Sequence, residues 1–274
     1  MWAALERAPQ NRVRNRRFWI LLGSTFLAGL AEAFYSGIIS NYAVAELKLG
    51  SARYGLLDGI RELPGLLAVV LAVATARLRE EYAVAVWAAL LGAGLWLHNQ
   101  VGNYGELLLA TLLFSTGLHL WSISRDVLVV DMAAPQERAL RLGQVASAWA
   151  AASVAGMGLV SLLARPENLH GFFVAGGVLG TGAGVLSLLL RTAGKGAPPR
   201  EPFVWRRQYR PLYLLTVLAA AREMVTLTLA TYLLVQVHQL SVGHRAMLLT
   251  LQGLLSMLLR PLAGRLTDRL GDRR

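Results

Sequence analysis

The chain has 274 residues and a formal net charge of +11, with 55% hydrophobic and only 16% charged residues. Soluble domains carry about a quarter charged residues, so this composition favours a membrane protein. The absence of cysteine excludes disulfides and cysteine metal sites. The positive charge does not indicate nucleic-acid binding, because the basic residues lie between apolar runs and do not gather on one soluble face.

Apolar runs recur along the chain at the length that crosses a bilayer. A hydrocarbon core about 30 Å thick requires roughly 20 apolar residues per helix. This length predicts an all-α polytopic membrane protein with about eight spans: Phe18 to Ala43, Tyr54 to Ala76, Tyr82 to His98, Glu106 to Val130, Leu142 to Ala164, Phe172 to Leu190, Leu212 to Val237 and Met247 to Leu266. Short polar segments join most of them, so neighbouring spans are expected to be antiparallel.

Residues 191 to 210 and the basic loops predict the topology. The segment RTAGKGAPPREPFVWRRQYR combines glycine, a Pro-Pro pair and several charges, which is typical of a linker. Alternate connections hold nearly all of the loop arginines, whereas the other set holds only Lys48, Arg53, Arg165 and Arg245. Basic loops stay on the cytoplasmic side, so an inner-membrane protein with both termini in the cytoplasm is expected.

An internal repeat follows the first six predicted spans. Three residue types recur at a constant offset of 190 positions: Tyr42 and Tyr232, Ser51 and Ser241, Arg79 and Arg269. This offset superposes the first pair of spans on the pair after the linker. Such a second copy of the opening hairpin is how duplicated transporters are built.

The last eleven residues, GRLTDRLGDRR, contain a loop signature of the form G-x-L-x-D-R-x-G-x-R-R. The matching residues are Gly264, Leu266, Asp268, Arg269, Gly271, Arg273 and Arg274. In this signature the sequence resembles the major facilitator superfamily, where such a loop follows the second span on the cytoplasmic side and recurs after the eighth. The predicted topology and the repeat both put the segment after the eighth span.

Two further segments carry the same resemblance. Residues 131 to 143, DMAAPQERALRLG, resemble the family's connection between the fourth and fifth spans through Asp131, Pro135 and Arg138. Residues 146 to 158, ASAWAAASVAGMG, resemble its closely packed fifth span. The first copy of the loop signature keeps Arg79 but lacks the aspartate before it, and Glu80 or Glu81 is the candidate substitute.

The resemblance implies a fold and a function. Residues 1–190 would form an N-terminal six-helix bundle, 191–210 a cytoplasmic linker and 211–274 the first two helices of a second bundle. Because family members typically have twelve spans, the chain is interpreted as truncated after the eighth. The implied function is secondary active transport of a small polar or charged solute by alternating access, coupled to protons, with the lipid bilayer as surroundings. The alternative is a non-transporting remnant, or a half-transporter that needs a partner chain.

Catalysis is not expected. The histidines form no HExxH pattern, and no G-x-S-x-G nucleophile motif is present. No cofactor or metal is therefore predicted. The glycine-rich tract of residues 174–184 lies within an apolar span and is better explained by close helix packing than by nucleotide binding.

Charged residues inside spans are candidates for function, because charges in hydrocarbon are costly and normally face a bundle interior. In the first span Glu32 has Tyr35 and Ser36 at helical spacing, which places all three on a polar stripe. In the family the first, fourth and seventh spans line the central cavity, so these residues are predicted to bind substrate or couple protons. The alternative is a hydrogen bond that only holds the bundle together.

The fourth and seventh spans carry further candidates. In the fourth, His119 is a predicted proton relay and Ser122 lies on the same stripe, while Arg125 and Asp126 form either a structural ion pair or a gate. Packing is the alternative for His119.

In the seventh span, Arg222, Glu223 and Thr226 are predicted to contact substrate. The planar fork of Arg222 suits a carboxylate or phosphate group. The repeat places Arg222 opposite Glu32, so a bridge that locks the two halves is the alternative.

The second span holds Asp58, Arg61 and Glu62 on one face in its outer third. Arg61 is expected to neutralise Asp58, which leaves Glu62 to find a partner on another helix. An outer gate is predicted, with the following available partners: His238, His244 and Arg245. A local ion pair inside the first bundle is the alternative. The predicted gating set also includes Arg125, Asp126, Asp131, Arg138, Gly264, Asp268, Arg269 and Gly271.

Overall fold

A computed structural model describes residues 2–67, 78–190, 206–224 and 242–270. All regular secondary structure in these ranges is helical, as predicted. The α-helices are α1 (Trp2–Ala45), α2 (Ser51–Leu66), α3 (Glu80–His98), α4 (Tyr104–Met132), α5 (Arg138–Leu163), α6 (Leu169–Ser187), α7 (Arg210–Met224) and α8 (Val242–Leu270). Short 3₁₀ turns occur at Pro135–Glu137, Pro166–Asn168, Leu188–Leu190 and Arg207–Tyr209.

Five stretches of the described chain are long and apolar enough to cross a membrane: Asn15–Ala43, Glu80–His98, Tyr104–Met132, Pro135–Leu163 and Leu169–Leu190. They correspond to the first, third, fourth, fifth and sixth predicted spans. The second and seventh predicted spans run into residues outside the described ranges, and the eighth lies within α8. The total of eight spans therefore stays a prediction.

Local sequence explains where several of these helices begin. The Asn103 side chain accepts a hydrogen bond from the Glu106 N–H at 3.1 Å, and the Glu106 carboxylate accepts one from the Gly102 N–H at 2.7 Å. The Asn103 contact satisfies a backbone donor of the first turn of α4, and the Glu106 contact satisfies one just before the helix. Pro135 and Pro166 each open a 3₁₀ turn, where the missing proline N–H has no intrahelical partner to lose.

The helices pack with their backbones unusually close. Helix α3 packs against α4 and α6, α1 packs against α5 and α6, and α2 packs against α4. A Cβ atom at Gly117 would lie 2.3 Å from the backbone N of Leu91, and one at Gly94 would lie 2.3 Å from the backbone N of Phe114. Apolar burial drives helix association weakly in lipid, so this close approach through small residues contributes much of the packing.

Large apolar side chains cover the outer surface of the bundle. The exposed ones include Trp19, Leu109, Leu162, Val185 and Leu189. Inside the bundle, Ser24 and Ser187 join α1 to α6 through hydroxyls 2.8 Å apart. An apolar exterior around a partly polar interior is the arrangement expected of helices surrounded by lipid.

Basic residues of the loops gather at one end of the bundle, here called the basic end. There Arg17 contacts Glu81, and the Arg141 guanidinium lies 4.5 Å from the centre of the Phe18 ring. At the opposite end, His170 contacts Glu46 at 2.8 Å. The basic end holds Arg16, Arg17, Arg79, Arg138 and Arg141, whereas the opposite end holds Lys48, Arg53 and Arg165.

The chain divides into two compact units, Met1–Pro198 with Gly253–Arg274, and Pro199–Gln252. The first unit contains α1 to α6 and the later part of α8, and the second contains α7 and the beginning of α8. Within the first unit α8 lies close to α5, because a Cβ at Gly264 would come 2.5 Å from the Ala139 carbonyl oxygen. The predicted boundaries at 190 and 210 stay predictions.

Candidate functional site

A polar cavity of about 180 Å³ lies between α1 and α2. Its lining residues are Tyr35, Ser36, Ile39, Tyr54, Leu57, Asp58 and Arg61. A cavity of roughly 150 Å³ accommodates benzene, so this volume suits a solute of about six non-hydrogen atoms. The cavity brings together residues that the sequence assigned separately to substrate coupling and to an outer gate.

Helix α1 supplies one wall of the cavity. The Ser36 hydroxyl donates a hydrogen bond to Oε1 of Glu32 at 2.5 Å, which ties the acid to the lining. Tyr35 is buried and its ring centre lies 4.3 Å from that of Phe114. Glu32 is also attracted electrostatically to Arg61 of α2. Two residues of the predicted polar stripe, Tyr35 and Ser36, therefore line the cavity, and the third, Glu32, is hydrogen-bonded to Ser36.

Helix α2 supplies the opposite wall through a charge network centred on Arg61. Its Nε lies 3.1 Å from Oδ1 of Asp58, and its Nη2 lies 2.8 Å from Oε1 of Glu62. The side chain of Asp58 is 60% exposed, whereas that of Arg61 is 26% exposed. Arg61 is thus held between two carboxylates, and Asp58 keeps room for a further contact.

His119 of α4 joins the network through Glu62, with His119 Nε2 and Glu62 Oε2 3.7 Å apart. Gly65 makes this approach possible, because a Cβ there would lie 2.8 Å from Cε1 of His119. Ser115, also on α4, donates a hydrogen bond to the backbone carbonyl of Arg61. The sequence had suggested other partners for Glu62, and their side chains lie outside the described part of the chain: His238, His244 and Arg245. Gly65, one turn after Arg61, is the sequence signal that could have indicated a close neighbour.

Ser122, Arg125 and Asp126 form a separate cluster on α4. The Arg125 guanidinium reaches Asp126 at 2.8 Å and Ser122 at 3.2 Å, and it lies 4.7 Å from the Trp121 ring centre. Ser122 is therefore engaged by Arg125 and is not among the residues that line the cavity.

The family comparison decides the class of protein. A family model described as Major Facilitator Superfamily matches residues 21–274. The chain belongs to this superfamily. It is accordingly a multi-pass membrane transporter of small molecules. Superfamily members are transporters and not enzymes, which is compatible with the expectation that no catalysis occurs. No curated protein matches the chain.

At the basic end of the transporter lies Glu81, one of the two candidate substitutes for the aspartate that the first loop signature lacks. It contacts Nη2 of Arg17 at 3.4 Å and Nε of Arg79 at 3.5 Å. Arg17 also donates from Nε to the Leu190 carbonyl at 3.1 Å. This cluster connects α1, the start of α3 and the end of α6.

The structure describes only part of the remaining predicted gating and substrate residues. Asp131 and Arg138 are exposed at the connection between α4 and α5, and Arg269 is exposed on α8. The backbones of three others lie in α7 or α8, but their side chains are outside the described set: Arg222, Glu223 and Asp268. Thr226 and Gly271 fall outside the described residues altogether. Their roles stay predictions.

Replacing Arg17 with Gln is expected to lower the free energy of unfolding of the transporter by about 1 kcal/mol, because Glu81 and the Leu190 carbonyl lose a charged donor. Denaturant titration of the purified protein in detergent measures this. The neighbouring Arg16 is exposed, so Arg16→Gln is the matched control and should change little. Equal effects of the two substitutions would contradict a specific role for the Glu81 cluster.

Proposed function

We propose that this transporter moves a small polar or charged solute by alternating access, with coupling to protons. The observation that supports this is the cavity between α1 and α2, where Tyr35, Ser36, Asp58 and Arg61 meet inside an apolar bundle. Ionisable groups at depth are costly in lipid, and their convergence on one cavity favours a role in handling a solute. A cavity that held the bundle together by packing alone would not need them.

Proton coupling is assigned to Glu32 and His119. Glu32 is half-buried beside the cavity, and His119 reaches the same charge network through Glu62. Both groups exchange protons more readily than Arg61, which stays charged. Protonation of Glu32 would weaken its attraction to Arg61, whereas protonation of His119 would strengthen its pairing with Glu62. Either change would link proton uptake to movement of α1 or α4 against α2. Further substrate contacts are proposed for Ser122, Arg222, Glu223 and Thr226.

Gating is assigned to two sets of residues. The Asp58, Arg61 and Glu62 network joins α2 to α4 through His119 and is proposed as the outer gate. A second gating set is proposed to comprise Arg125, Asp126, Asp131, Arg138 and the signature residues Gly264, Asp268, Arg269 and Gly271. Because basic loops remain in the cytoplasm, the basic end is proposed to face inward across an inner membrane, with both termini inside. Residues 1–190, 191–210 and 211–274 are proposed as the first bundle, linker and second-bundle segment.

Replacing Glu32 with Gln is expected to reduce solute-driven proton flux at least tenfold, roughly 1.4 kcal/mol in the barrier, because the amide cannot exchange a proton. Proteoliposomes carrying the purified chain and the internal pH dye pyranine would be challenged with small amines, carboxylates and sugars. Glu167→Gln makes the same chemical change on an exposed residue between α5 and α6 and serves as control.

The outcomes separate coupling from transport. If the unmodified chain moved solute without moving protons, the proposal of transport would hold and the proposal of proton coupling would be wrong. Unchanged proton flux in the Glu32→Gln protein would remove Glu32 from the coupling machinery. Failure of the unmodified chain to move any solute in the panel would contradict the proposed function.

A further inference from the structure

We infer that Ser115 of α4 sets the position of α2, and with it the position of Arg61 in the wall of the cavity. This role rests on the transport function proposed above and adds to it a positioning residue that does not contact the solute. Three observations support it: the sparse packing of α2, the acceptor that the Ser115 hydroxyl binds, and two further contacts between the same helices.

Apolar packing fixes α2 only loosely within the described part of the chain. Helix α2 packs against α4, and more than half of its described residues are exposed. Its buried residues in this range are Leu57 and Pro64. At Gly55 and Gly59 nothing lies within 4 Å of the position that a Cβ would take, so these glycines do not lock α2 against a neighbour. Polar contacts therefore carry more of the task of fixing where α2 lies.

The Ser115 hydroxyl differs in its acceptor from other hydroxyls in these helices. A helical serine or threonine commonly donates to the carbonyl four residues earlier in its own helix. This pattern holds for the following described residues: Thr25, Ser147, Ser187 and Thr267. Ser115 is fully buried and donates instead to the backbone carbonyl of Arg61 on α2. Because the acceptor belongs to the backbone, this bond ties the helix itself and not a movable side chain.

Two further contacts join α4 to α2, one on each side of Ser115 along the helix. Near the start of both helices, the Tyr104 hydroxyl donates to the Arg53 carbonyl at 3.0 Å. Further along, a Cβ at Gly65 would lie 2.8 Å from Cε1 of His119. The Tyr104 bond is exposed, where water competes for both partners, whereas Ser115 is shielded from solvent. Ser115 therefore provides the stronger of the two hydroxyl ties.

The bond from Ser115 determines where the α2 wall of the cavity lies. Arg61 offers its carbonyl oxygen to Ser115, while its side chain lines the cavity. Asp58, one turn earlier, lines the same cavity and pairs with Arg61. A slide of α2 by the rise of one residue, about 1.5 Å, would displace both side chains from the α1 wall. Ser115 is not among the lining residues, so it acts through Arg61.

Distances between spin labels, measured by electron paramagnetic resonance in lipid nanodiscs, test the inference. The chain has no cysteine, so labels attach only where a cysteine is introduced. Labels at Leu56 of α2 and Leu109 of α4 report the position of α2, since both side chains are exposed. Ser115→Ala is expected to shift or broaden this distance by about 1.5 Å or more, the rise of one residue. Labels at Leu109 and at the exposed Val178 of α6 form the control pair, whose distance should not change.

Matched variants separate positioning from stability. Ser24→Ala is the control, because Ser24 is also fully buried and lies 3.1 Å from a carbonyl oxygen of a neighbouring helix, that of Ala183. Both alanine variants should lose similar stability, but only Ser115→Ala should move α2 and lower solute flux in the proteoliposome panel, by about fivefold. Ser115→Thr keeps the hydroxyl and should restore both readouts. Ser115→Val has the shape of the threonine variant without its hydroxyl, so this pair gives the same comparison if the Ser115→Ala protein does not fold.

An unchanged distance between the α2 and α4 labels in the Ser115→Ala protein would overturn the inference. Equal losses of flux in the Ser24→Ala and Ser115→Ala proteins would also overturn it, because Ser115 would then act through stability alone. A displaced α2 with unchanged flux would show that transport does not depend on this position. If the unmodified chain moved no solute of the panel while Ser115→Ala still displaced α2, the proposed function would be wrong and the tie between the two helices would be confirmed.

Discussion

Replacing Gly117 with alanine is expected to lower the free energy of unfolding by about 3 kcal/mol, at the upper end of overpacking effects. The added methyl would lie 2.3 Å from the backbone N of Leu91 and 2.8 Å from the Trp87 carbonyl oxygen. Backbone atoms of a helix cannot rotate away as the end of a side chain can, so α3 and α4 would have to separate. Denaturant titration in detergent and the yield of monodisperse protein measure the loss.

Gly158→Ala is the matched control for this prediction. Gly158 is exposed within α5, and nothing lies within 4 Å of the position that its Cβ would take. Alanine is the better helix former by about 1 kcal/mol, so this variant should be neutral or slightly more stable. A Gly117→Ala protein as stable as the Gly158→Ala protein would show that α3 and α4 do not approach so closely.

Replacing Arg61 with Gln is expected to destabilise the protein by about 2 kcal/mol, because it leaves Asp58 and Glu62 without their shared cation. The effect stays below that of a fully buried pair, since the Asp58 side chain is 60% exposed. Solute transport should fall as well, since like charges on α2 would then face Glu32. Unfolding in detergent and proteoliposome flux report the two effects.

A charge-neutral variant tests the cause. Combining Asp58→Asn, Arg61→Gln and Glu62→Gln removes all three charges and should recover most of the lost stability, because no unpaired charge remains. Transport should not recover, since the proposed gate and ligand contacts are gone. Arg53→Gln on the same helix changes an exposed arginine and should stay within about 0.5 kcal/mol of the unmodified protein. If the triple variant were no more stable than Arg61→Gln alone, lost packing and not lost charge would be the cause.

The proposed proton relay and the proposed outer gate share one residue, Glu62. Glu62 contacts both Arg61 and His119, so a change at the proposed proton relay is felt directly by the proposed gate. Asp58, on the other side of Arg61, lines the cavity that is proposed to hold the solute. A solute that contacts Asp58 would compete with Arg61 for this carboxylate and loosen the network from that side. Proton and solute would thus act on the same ion pair from its two ends.

Local features of the sequence determined much of this protein. Apolar runs of bilayer length predict helices at the positions where the structure has five helical stretches long and apolar enough to cross a membrane, because each helix satisfies its own backbone hydrogen bonds. Contacts within one helix also follow from spacing. The pairing of Arg61 with Asp58 three residues earlier, and of Arg125 with its neighbour Asp126, needed no tertiary information.

Tertiary structure alone decided which helices meet and therefore which distant residues share a site. The contact between Glu62 and His119 depends on α2 packing against α4 at Gly65, and the hydrogen bond between His98 and Thr111 depends on α3 packing against α4. Glu81 similarly finds Arg17 across the basic end of the bundle. Hydropathy indicates that a helix face is shielded from water. It does not indicate whether lipid or another helix covers that face, since the two are almost equally apolar. Small residues select the partner by allowing backbones to approach, and that selection is a property of two surfaces at once.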